Sequence, residues 1–353
     1  MSKPTYIIPS MIDIENIAWN GCKVVSTFSG CGGSCLGYRM AGYKVVYANE
    51  FIKAARQVYK LNHPNSYLDS RDIRNVTPES ILENTDLNVG DIDIFDGSPP
   101  CSDFSRAGKR ESGWGKEKKY SDTVQRVDDL FYEYVRLVDG LKPKVFVAEN
   151  VSGLTSGSAI GYFKKIIKAL TDCGYKVRCK LLDAQWLGVP QSRKRTIFIG
   201  VRSDLSKHPQ FPKPFEYQHF IGEAVKGLDY KNEQKVFLNE RSMGYKYWMN
   251  CKAGESFDKG SMRYNNKSAW FTHQKLSPSK VSSCILQTMS MYHWLEPRFL
   301  TISEIKRLSS FPDDFKLVGD YMRRWERIGR AVPPLMMKQV AKTIFDKVLN
   351  GKT

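Results

Sequence analysis

The chain has 353 residues, of which 41% are hydrophobic and 26% are charged. That composition excludes a chain that is disordered or of low complexity throughout, and the length allows one large α/β domain and a second lobe. Lys and Arg (54) exceed Asp and Glu (37) by 17, which favours a polyanionic partner because basic contacts to phosphates release counterions; a basic enzyme without such a partner is the alternative.

Short β-rich runs alternate with helical patterns over the first two-thirds of the chain. Strands are predicted at 23–28, 44–48, 92–95, 144–148, 175–182 and 196–201, and helices at 34–41, 53–60, 124–141 and 160–170. This alternation predicts a mostly parallel sheet that helices cover on both faces, with a ligand bound beyond the carboxyl ends of the strands.

The pattern changes after Arg202. Residues 203–297 are basic, loop-rich and irregular, and they predict a second lobe. Helical patterns return over 298–353 and include an amphipathic helix at 335–349. We therefore expect an extension at 1–21, an α/β domain at 22–202, the lobe at 203–297 and a helical segment at 298–353.

Membrane and metal-binding signals are weak. No run approaches the roughly 20 apolar residues of a membrane helix, and residues 1–21 lack the apolar core of a signal peptide. The eight cysteines contain no Cys-x-x-Cys pair, and the five histidines do not cluster with them. We expect a protein of the reducing cytoplasm that binds no metal and no membrane.

The segment 28–33, Phe-Ser-Gly-Cys-Gly-Gly, lies between a predicted strand and a helix. Its glycines allow a sharp turn and a close approach to a ligand, although the spacing is not that of a dinucleotide fold. Glu50 follows the next strand, where a carboxylate can accept from ribose hydroxyls, and Asp72 follows a short third strand and can accept from an adenine amino group. Together they indicate an adenosine-containing cofactor; a plain turn and two solvated carboxylates are the alternative.

Cys101 follows a strand end and the rigid pair Pro99-Pro100, and it enters a loop rich in Gly and Ser. A thiol at the ligand edge of the sheet can be a nucleophile if cations stabilise its thiolate. The alternative is an inert buried cysteine.

Further polar residues follow or precede neighbouring strands. Glu149 and Asn150 end one strand, and the basic run 191–195 enters the strand at 196–201. Alternation along an extended chain places Arg193 and Arg195 on one side, where two guanidiniums suit a phosphate or a base carbonyl. A solvated basic edge is the alternative.

In this order the motifs resemble those of the bacterial-type DNA (cytosine-5)-methyltransferases. The resemblance covers nearly the whole chain except the opening 20 or so residues and 203–297. The ordered set, rather than any single motif, makes it specific. Its motifs are Phe28–Gly33, Glu50, Asp72, Pro99-Pro100-Cys101, Glu149-Asn150-Val151, 191–195, Arg298–Thr301, Glu304, Arg307-Leu308, Phe311–Asp313 and Gly329–Pro334.

The resemblance implies an α/β fold, a Rossmann-like S-adenosylmethionine-dependent methyltransferase domain with a small irregular target-recognition domain. The former would be the catalytic and cofactor-binding domain at 22–202, the latter would be 203–297, and 298–353 would return to the catalytic domain. The cofactor residues it implies are Phe28, Ser29, Gly30, Cys31, Gly33, Asn49, Glu50, Phe51, Asp72, Ile73, Pro100, Leu130, Ala331 and Val332.

The implied reaction explains the cysteine. Cytosine C5 is a poor nucleophile, and addition of the Cys101 thiolate to C6 would make C5 enamine-like while Glu149 holds or protonates N3. Arg195 would contact the cytosine carbonyl oxygen, Arg193 would help to order the site, and Asn150 would position the Pro-Cys loop. The target base would have to be flipped out of the duplex.

The implied partner is double-stranded DNA, recognised by a monomer in the cytoplasm of a bacterium, from a bacterial or phage gene. A cognate restriction endonuclease would act separately. Ser102, Arg106 and Lys109 in a closing loop at 102–120, with Arg241 and Arg263 in the lobe, are the expected DNA contacts. The alternatives are a tRNA cytosine-5 methyltransferase, an inactive DNA-binding regulator and a small-molecule dehydrogenase, although the last lacks its glycine pattern.

Three positions depart from the family pattern. Arg330 stands where the family usually has Asn, Val127-Asp128 stand where it tends to have Arg-Gly, and Ser26 stands where many members have Asp. None of them is Cys101, Glu149 or Arg195, so activity is still expected.

Overall fold

The structure is a computed structural model that describes residues 3–100, 118–120, 123–125, 129–155 and 160–350. The chain forms two compact units. The first, the sheet unit, comprises Asp13–Asp183, Lys194–Lys213 and Met336–Thr353, and the second unit comprises Met1–Ile12, Ala184–Arg193 and Pro214–Leu335. The boundaries expected from the sequence lie at 202/203 and 297/298.

The sheet unit contains the predicted alternation of strands and helices. Its strands are β1 (Lys23–Thr27), β2 (Lys44–Asn49), β3 (Tyr67–Asp69), β4 (Ile94–Gly97), β5 (Lys118–Tyr120), β6 (Thr123–Gln125), β7 (Val145–Val151), β8 (Tyr175–Asp183) and β9 (Lys194–Arg202). The helices up to β8 are α1 (Met11–Glu15), which begins in the second unit, α2 (Gly33–Met40), α3 (Lys53–Asn62), α4 (Pro78–Thr85), α5 (Leu130–Leu141) and α6 (Ile160–Asp172).

Seven of these strands form one sheet in the order β3-β2-β1-β4-β7-β9-β8. The pairs from β3 to β7 are parallel, and β9 is antiparallel to both β7 and β8. The chain winds outward from β1 first through β2 and β3 and then through β4 and β7. This reversal places a ligand crevice beyond the carboxyl ends of the strands next to β1.

One predicted helix is wrong in its first turns. The helix expected at 124–141 begins only at Leu130, and Thr123–Gln125 is instead a strand paired antiparallel with Lys118–Tyr120. Thr123 and Val124 are β-branched, which favours a strand, and the apolar residues at helical spacing start at Leu130.

One face of the sheet carries an extensive apolar core. Val25, Phe95 and Phe146 of three adjacent strands pack with the apolar sides of α5 and α6. The Tyr134 hydroxyl of α5 donates to the backbone oxygens of Phe95 and Val147 at 3.1 and 3.0 Å. These contacts fix β4 and β7, the two strands whose ends carry the predicted catalytic residues.

The second unit contains helices that its sequence did not predict. They are α7 (Ile221–Ala224), α8 (Met243–Asn250) and α9 (Phe257–Asn265). The next helices, α10 (Ile302–Leu308) and α11 (Tyr321–Arg330), lie in the segment 298–353 where helical patterns are expected, and α12 (Pro334–Ile344) leads back into the sheet unit. A small sheet joins β10 (Glu255–Ser256), β11 (Gln274–Lys275) and β12 (Met291–Tyr292). The unpredicted helices α8 and α9 bury Tyr247, Trp248 and Phe257 in one cluster.

Contacts across this unit explain why it includes 298–335. The buried Arg298 pairs with Glu304 of α10, and Phe299 makes an edge contact with Trp325 of α11. At Gly329 a Cβ atom would lie 2.1 Å from the Leu286 carbonyl oxygen, so only glycine allows α11 to pack so closely there.

Part of the N-terminal extension also belongs to the second unit. The Tyr6 hydroxyl donates to the Arg307 carbonyl oxygen at 2.6 Å, and Lys3 pairs with Glu223 at 2.6 Å. Among the residues that the structure describes, no helix is long and apolar enough to cross a membrane.

Candidate active site and cofactor site

The predicted site residues of the sheet unit follow the ends of adjacent strands. The glycine turn follows β1, Glu50 follows β2, Asp72 lies three residues after β3, and Pro99-Pro100 follow β4. Because these strands are parallel neighbours, all of these segments lie at one edge of the sheet. The antiparallel β9 begins at the same edge, where Arg195 is the register partner of Val151.

The glycine turn has an unusual backbone. Phe28 has φ +51°, a left-handed conformation that is rare for a side chain of this size, and Gly30 has φ +58°. Among the described residues, and apart from Gly30 and its chain neighbours, no atom lies within 4 Å of the position that a Cβ would take at Gly30, whereas a Cβ at Gly32 would lie 2.1 Å from His63 Nε2. The turn is therefore supported at Gly32 and has open space beside Gly30, where a ligand can approach the backbone.

Glu50 is held in a fixed orientation beside this turn. One carboxylate oxygen accepts from the Gly30 amide and the other from the Ile52 amide, both at 2.7 Å. Both bonds hold the carboxylate beside the glycine turn, at a strand end where it can meet the vicinal hydroxyls of a ribose. Glu50 is only 7% exposed, so its carboxylate is buried as well as hydrogen-bonded to the turn.

Asp72 lies at the start of the turn after β3 and accepts from the Arg74 amide at 3.0 Å. The Arg74 guanidinium pairs with Asp72 at 3.0 Å and with Asp129, next to α5, at 2.7 Å. This bridge joins the predicted adenine-binding residue to the start of the helix that carries Leu130. The open space at Gly30 and the two anchored carboxylates fit an adenosine-containing cofactor.

The other predicted cofactor residues divide between the two units. Ala331 and Val332 belong to the second unit, where the neighbouring Arg330 pairs with Glu326 of the same helix at 2.8 Å. The remaining ones lie in the sheet unit at or next to the turns already described: Ser29, Cys31, Gly33, Asn49, Phe51, Ile73, Pro100 and Leu130.

Glu149 and Arg195 form an ion pair at the ends of β7 and β9. Arg195 Nε lies 2.6 Å from Glu149 Oε1, and the side chains are 17% and 11% exposed. The next residue, Asn150, donates through Nδ2 to the Pro99 carbonyl oxygen at 3.1 Å. The end of β7 thus carries an acid held by a cation and an amide that fixes the backbone two residues before Cys101.

The structure does not place the two predicted guanidiniums alike. Arg193 belongs to the second unit, where it is 3% exposed and donates to the Ile285 carbonyl oxygen at 3.0 Å. Arg195 belongs to the sheet unit and contacts Glu149. Alternation would place the two side chains on one side only if both residues lay in one extended strand, and β9 begins at Lys194, after Arg193.

Several predicted residues lie outside the described residues. They are Cys101 and the expected DNA contacts Ser102, Arg106 and Lys109. Of the expected contacts in the second unit, Arg241 is exposed, whereas Arg263 pairs with both oxygens of Glu255 at 2.6 and 2.8 Å. This double contact is a structural use of Arg263 within the second unit.

Sequence reasoning missed a buried polar group beneath this edge. Asp96 of β4 is 2% exposed and accepts from the hydroxyls of Ser26 in β1 and Tyr38 in α2. An aspartate directly after the apolar pair Ile94-Phe95 and within the same strand was the available signal. Its pairing across β1 and β4 could be seen only with the sheet register in hand.

Comparisons with known proteins agree with this geometry. The sequence model of the family described as C-5 cytosine-specific DNA methylase matches residues 22–346. The Type II methyltransferase M1.HphI of Haemophilus parahaemolyticus is 30% identical over 91% of this chain and 86% of its own length. The Type II methyltransferase M.MthTI of Methanothermobacter thermautotrophicus is 31% identical over 93% and 99%.

A solved structure shows the same fold. It is an E. coli prophage protein described as a candidate DNA modification methyltransferase, with a TM-score of 0.71 and 22% identity over 94% of this chain and 100% of that one. The α/β, Rossmann-like fold class expected from the sequence is confirmed.

Proposed function

From the premise that the chain belongs to the C-5 cytosine-specific DNA methylase family, we propose that it methylates C5 of a flipped-out cytosine through a covalent bond to Cys101. The protein is a sequence-specific DNA cytosine-5 methyltransferase, an activity that the family and its Type II relatives share. The proposal concerns the residues that perform the reaction.

The carrying observation is the arrangement at the end of β7. Glu149 is fixed by the Arg195 guanidinium, and Asn150 holds the Pro99 carbonyl on the segment that leads to Cys101. An acid is therefore fixed at the end of one strand, and the segment that leads to Cys101 is fixed at the end of its neighbour, which suits a reaction at two atoms of one pyrimidine ring.

The roles follow from the chemistry of the ring. The Cys101 thiolate attacks C6, and the electron density that reaches the ring is offset by a proton that Glu149 holds at N3. Arg195 binds the cytosine carbonyl oxygen and keeps Glu149 oriented, and Arg193 helps to order the site. After C5 receives its substituent and loses its proton, the C6–sulfur bond breaks and the thiolate is regenerated.

The family is S-adenosylmethionine-dependent, and the residues present fit that cofactor. Glu50 would hold the ribose hydroxyls, Asp72 the adenine amino group, and the backbone near Gly30 the chain between them. When bound, S-adenosylmethionine supplies the methyl group that C5 receives. The turn residues orient it, and Phe28 packs against the sheet core beside it.

The substrate is a DNA duplex whose target base leaves the stack, since a stacked base cannot reach a residue at a sheet edge. The net charge of +17 supports phosphate contacts, to which Ser102, Arg106, Lys109, Arg241 and Arg263 contribute. The protein acts as a monomer in the cytoplasm, and a separate restriction endonuclease cuts the same site when it is unmethylated.

Trapping tests the covalent step. DNA that carries 5-fluorocytosine at the target should join the protein through Cys101, because fluorine cannot leave C5 as a proton does. The Cys101→Ser variant should form no adduct and no methylated cytosine, while it still binds S-adenosylmethionine; Cys179→Ser, in β8, is the matched control and should behave as the wild type.

Bisulfite sequencing of DNA exposed to each variant reports the modified base and the recognition site, and a tRNA transcript serves as the competing substrate. An active preparation that leaves no adduct on Cys101, or a Cys101→Ser variant that still methylates DNA, would refute the proposed mechanism.

A further inference from the structure

A chain of hydrogen bonds runs from the glycine turn into the sheet. The Ser29 hydroxyl donates to the Ser26 hydroxyl oxygen at 3.0 Å, and Ser26 donates to the Asp96 carboxylate at 3.0 Å. Ser26 and Asp96 are register partners in the parallel pair β1 and β4. The turn and the strand that leads to Cys101 are thus joined by side chains as well as by the sheet.

All three residues of this hydrogen-bond network are buried. Ser26 is fully buried, Asp96 is 2% exposed and Ser29 is 9% exposed. The second carboxylate oxygen of Asp96 accepts from the buried Tyr38 hydroxyl at 3.1 Å. Among the described residues, no Lys or Arg forms an ion pair with Asp96, so hydroxyl groups alone solvate this carboxylate.

The direction of the hydrogen bonds has a chemical consequence. A serine hydroxyl has one hydrogen and two acceptor lone pairs, and Ser29 gives its hydrogen to Ser26. When Asp96 is ionised, its carboxylate at the end of these linked hydrogen bonds polarises and strengthens them. Ser29 can therefore act only as an acceptor toward any other group that it meets in the turn.

S-adenosylmethionine is cationic at its ammonium and sulfonium groups. Neither group accepts a hydrogen bond, so each is stabilised by an acceptor from the protein rather than by a donor. We propose that Asp96 is a positioning residue for the cofactor: through Ser26 it fixes Ser29 as an acceptor and adapts the glycine turn to a cationic ligand. The inference rests on the proposed function, since it takes the turn to be the cofactor site.

The serine and the carboxylate of this network lie on neighbouring strands. Ser26 belongs to β1, and the carboxylate to which it is hydrogen-bonded belongs to its register partner in β4. A carboxylate at position 96 and a hydroxyl at position 26 place two groups beneath the turn. A hydroxyl at position 96 and a carboxylate at position 26 would place the same two groups there. Exchanging the two residues is therefore a direct test.

The first experiment compares two substitutions that each remove one hydrogen bond from the same carboxylate. Ser26→Ala breaks the link to Ser29, and Tyr38→Phe breaks only the other bond. Titration calorimetry should show the dissociation constant for S-adenosylmethionine raised about tenfold in Ser26→Ala and changed less than about twofold in Tyr38→Phe. Denaturant unfolding without ligand should show both variants destabilised.

S-adenosylhomocysteine, which lacks the sulfonium charge, sharpens the comparison. Ser26→Ala should weaken the binding of S-adenosylhomocysteine less than the binding of S-adenosylmethionine, because part of the lost interaction is with the positive charge. The inference is overturned if Ser26→Ala and Tyr38→Phe weaken the binding of S-adenosylmethionine equally, or if its dissociation constant is unchanged in Ser26→Ala.

The exchange variant, Ser26→Asp with Asp96→Ser, should bind S-adenosylmethionine within about threefold of the wild type, whereas Asp96→Ser alone should not. A folded exchange variant that binds no better than Asp96→Ser contradicts the inference, and if it does not fold, the pair Ser26→Ala and Tyr38→Phe decides. A wild-type protein that neither binds S-adenosylmethionine nor methylates DNA would count against the proposed function instead.

Discussion

The two compact units each contain a prominent arginine–glutamate pair, and the two pairs differ in what surrounds them. In the second unit, Arg298 and Glu304 are 1% and 0% exposed. In the sheet unit, Arg195 and Glu149 are 17% and 11% exposed at the ends of two strands. The residue types are the same, and only the environment separates a structural pair from a candidate catalytic one.

The remaining partners make this difference clear. Glu304 also accepts from the Tyr230 hydroxyl and from the Thr301 amide, and Arg298 also donates to Glu296 and to the Phe299 carbonyl oxygen. Buried charges are stable only with such complete partners. Glu149 is less enclosed, so a substrate can replace part of its surroundings, and this comparison predicts opposite consequences for similar substitutions.

The largest expected effect is on catalysis. Glu149→Gln keeps the shape of the side chain but cannot hold the same proton at N3, so the single-turnover methylation rate should fall by about 10²–10⁴-fold. Affinity for S-adenosylmethionine and the free energy of unfolding should change little. A variant that lost stability and kept its rate would assign Glu149 the structural role of Glu304.

The converse substitution should act on stability. Glu304→Gln leaves the Arg298 guanidinium buried with less compensation, so urea unfolding should show a loss of about 3–5 kcal/mol, the usual effect of breaking a buried pair. The matched surface control is Asp172→Asn, which removes the exposed pair with Lys168 and should cost at most about 1 kcal/mol. Similar losses in both variants would show that burial does not distinguish these pairs.

A buried carboxylate without an arginine should show a distinct pH dependence. Burial, with a smaller contribution from the nearby Glu149, raises the pKa of Asp96 from 3.8 to about 7, and hydrogen bonds from Ser26 and Tyr38 partly oppose the rise. Between pH 4 and pH 7 the folded state binds more protons than the unfolded state. The contribution of Asp96 to the free energy of unfolding is therefore complete below pH 4 and is lost as the pH rises through 7.

The measurement compares the wild type with Asp96→Asn, which cannot ionise. From pH 4 to pH 8 the free energy of unfolding of the wild type should fall relative to the variant by an amount on the order of a few kcal/mol. A difference that stays constant across this range would mean that Asp96 does not titrate there.

The smallest effect concerns the helix that presents Glu304. Thr301 caps α10 by accepting from the Glu304 amide, while the Glu304 carboxylate accepts from the Thr301 amide. Thr301→Ala should lower the free energy of unfolding by about 1 kcal/mol, the usual cost of a lost cap, whereas Thr301→Ser should be close to neutral. Equal losses in both substitutions would assign the effect to packing of the threonine methyl group.

Local patterns determined much of the sheet unit. The alternation of β-branched runs with helical spacing predicted β1, β2, β7, β8 and β9 to within a few residues, because strand and helix periods are properties of consecutive side chains. The order of the glycine turn, Glu50, Asp72 and Glu149-Asn150 predicted a site at one sheet edge, since parallel strands deliver their ends to the same side.

Other features depended on residues far apart in sequence. The two-residue strands β10, β11 and β12 and the helices α7, α8 and α9 of the second unit have no clear sequence period. Apolar residues such as Tyr247 and Trp248 could be seen in the sequence, but the residues that they pack against could not. The assignment of 298–335 to that unit likewise follows from contacts such as Arg298 with Glu304 and Trp325 with Phe299.

By itself the sequence determined which chemical groups this protein has and in what order they follow the strands. Only the tertiary structure decided which groups meet: Arg195 with Glu149, Asn150 with Pro99, and Ser26 with Asp96. The physical reason is that periodicity reports which side of its own element a residue faces, whereas strand order and register decide which residue lies opposite it.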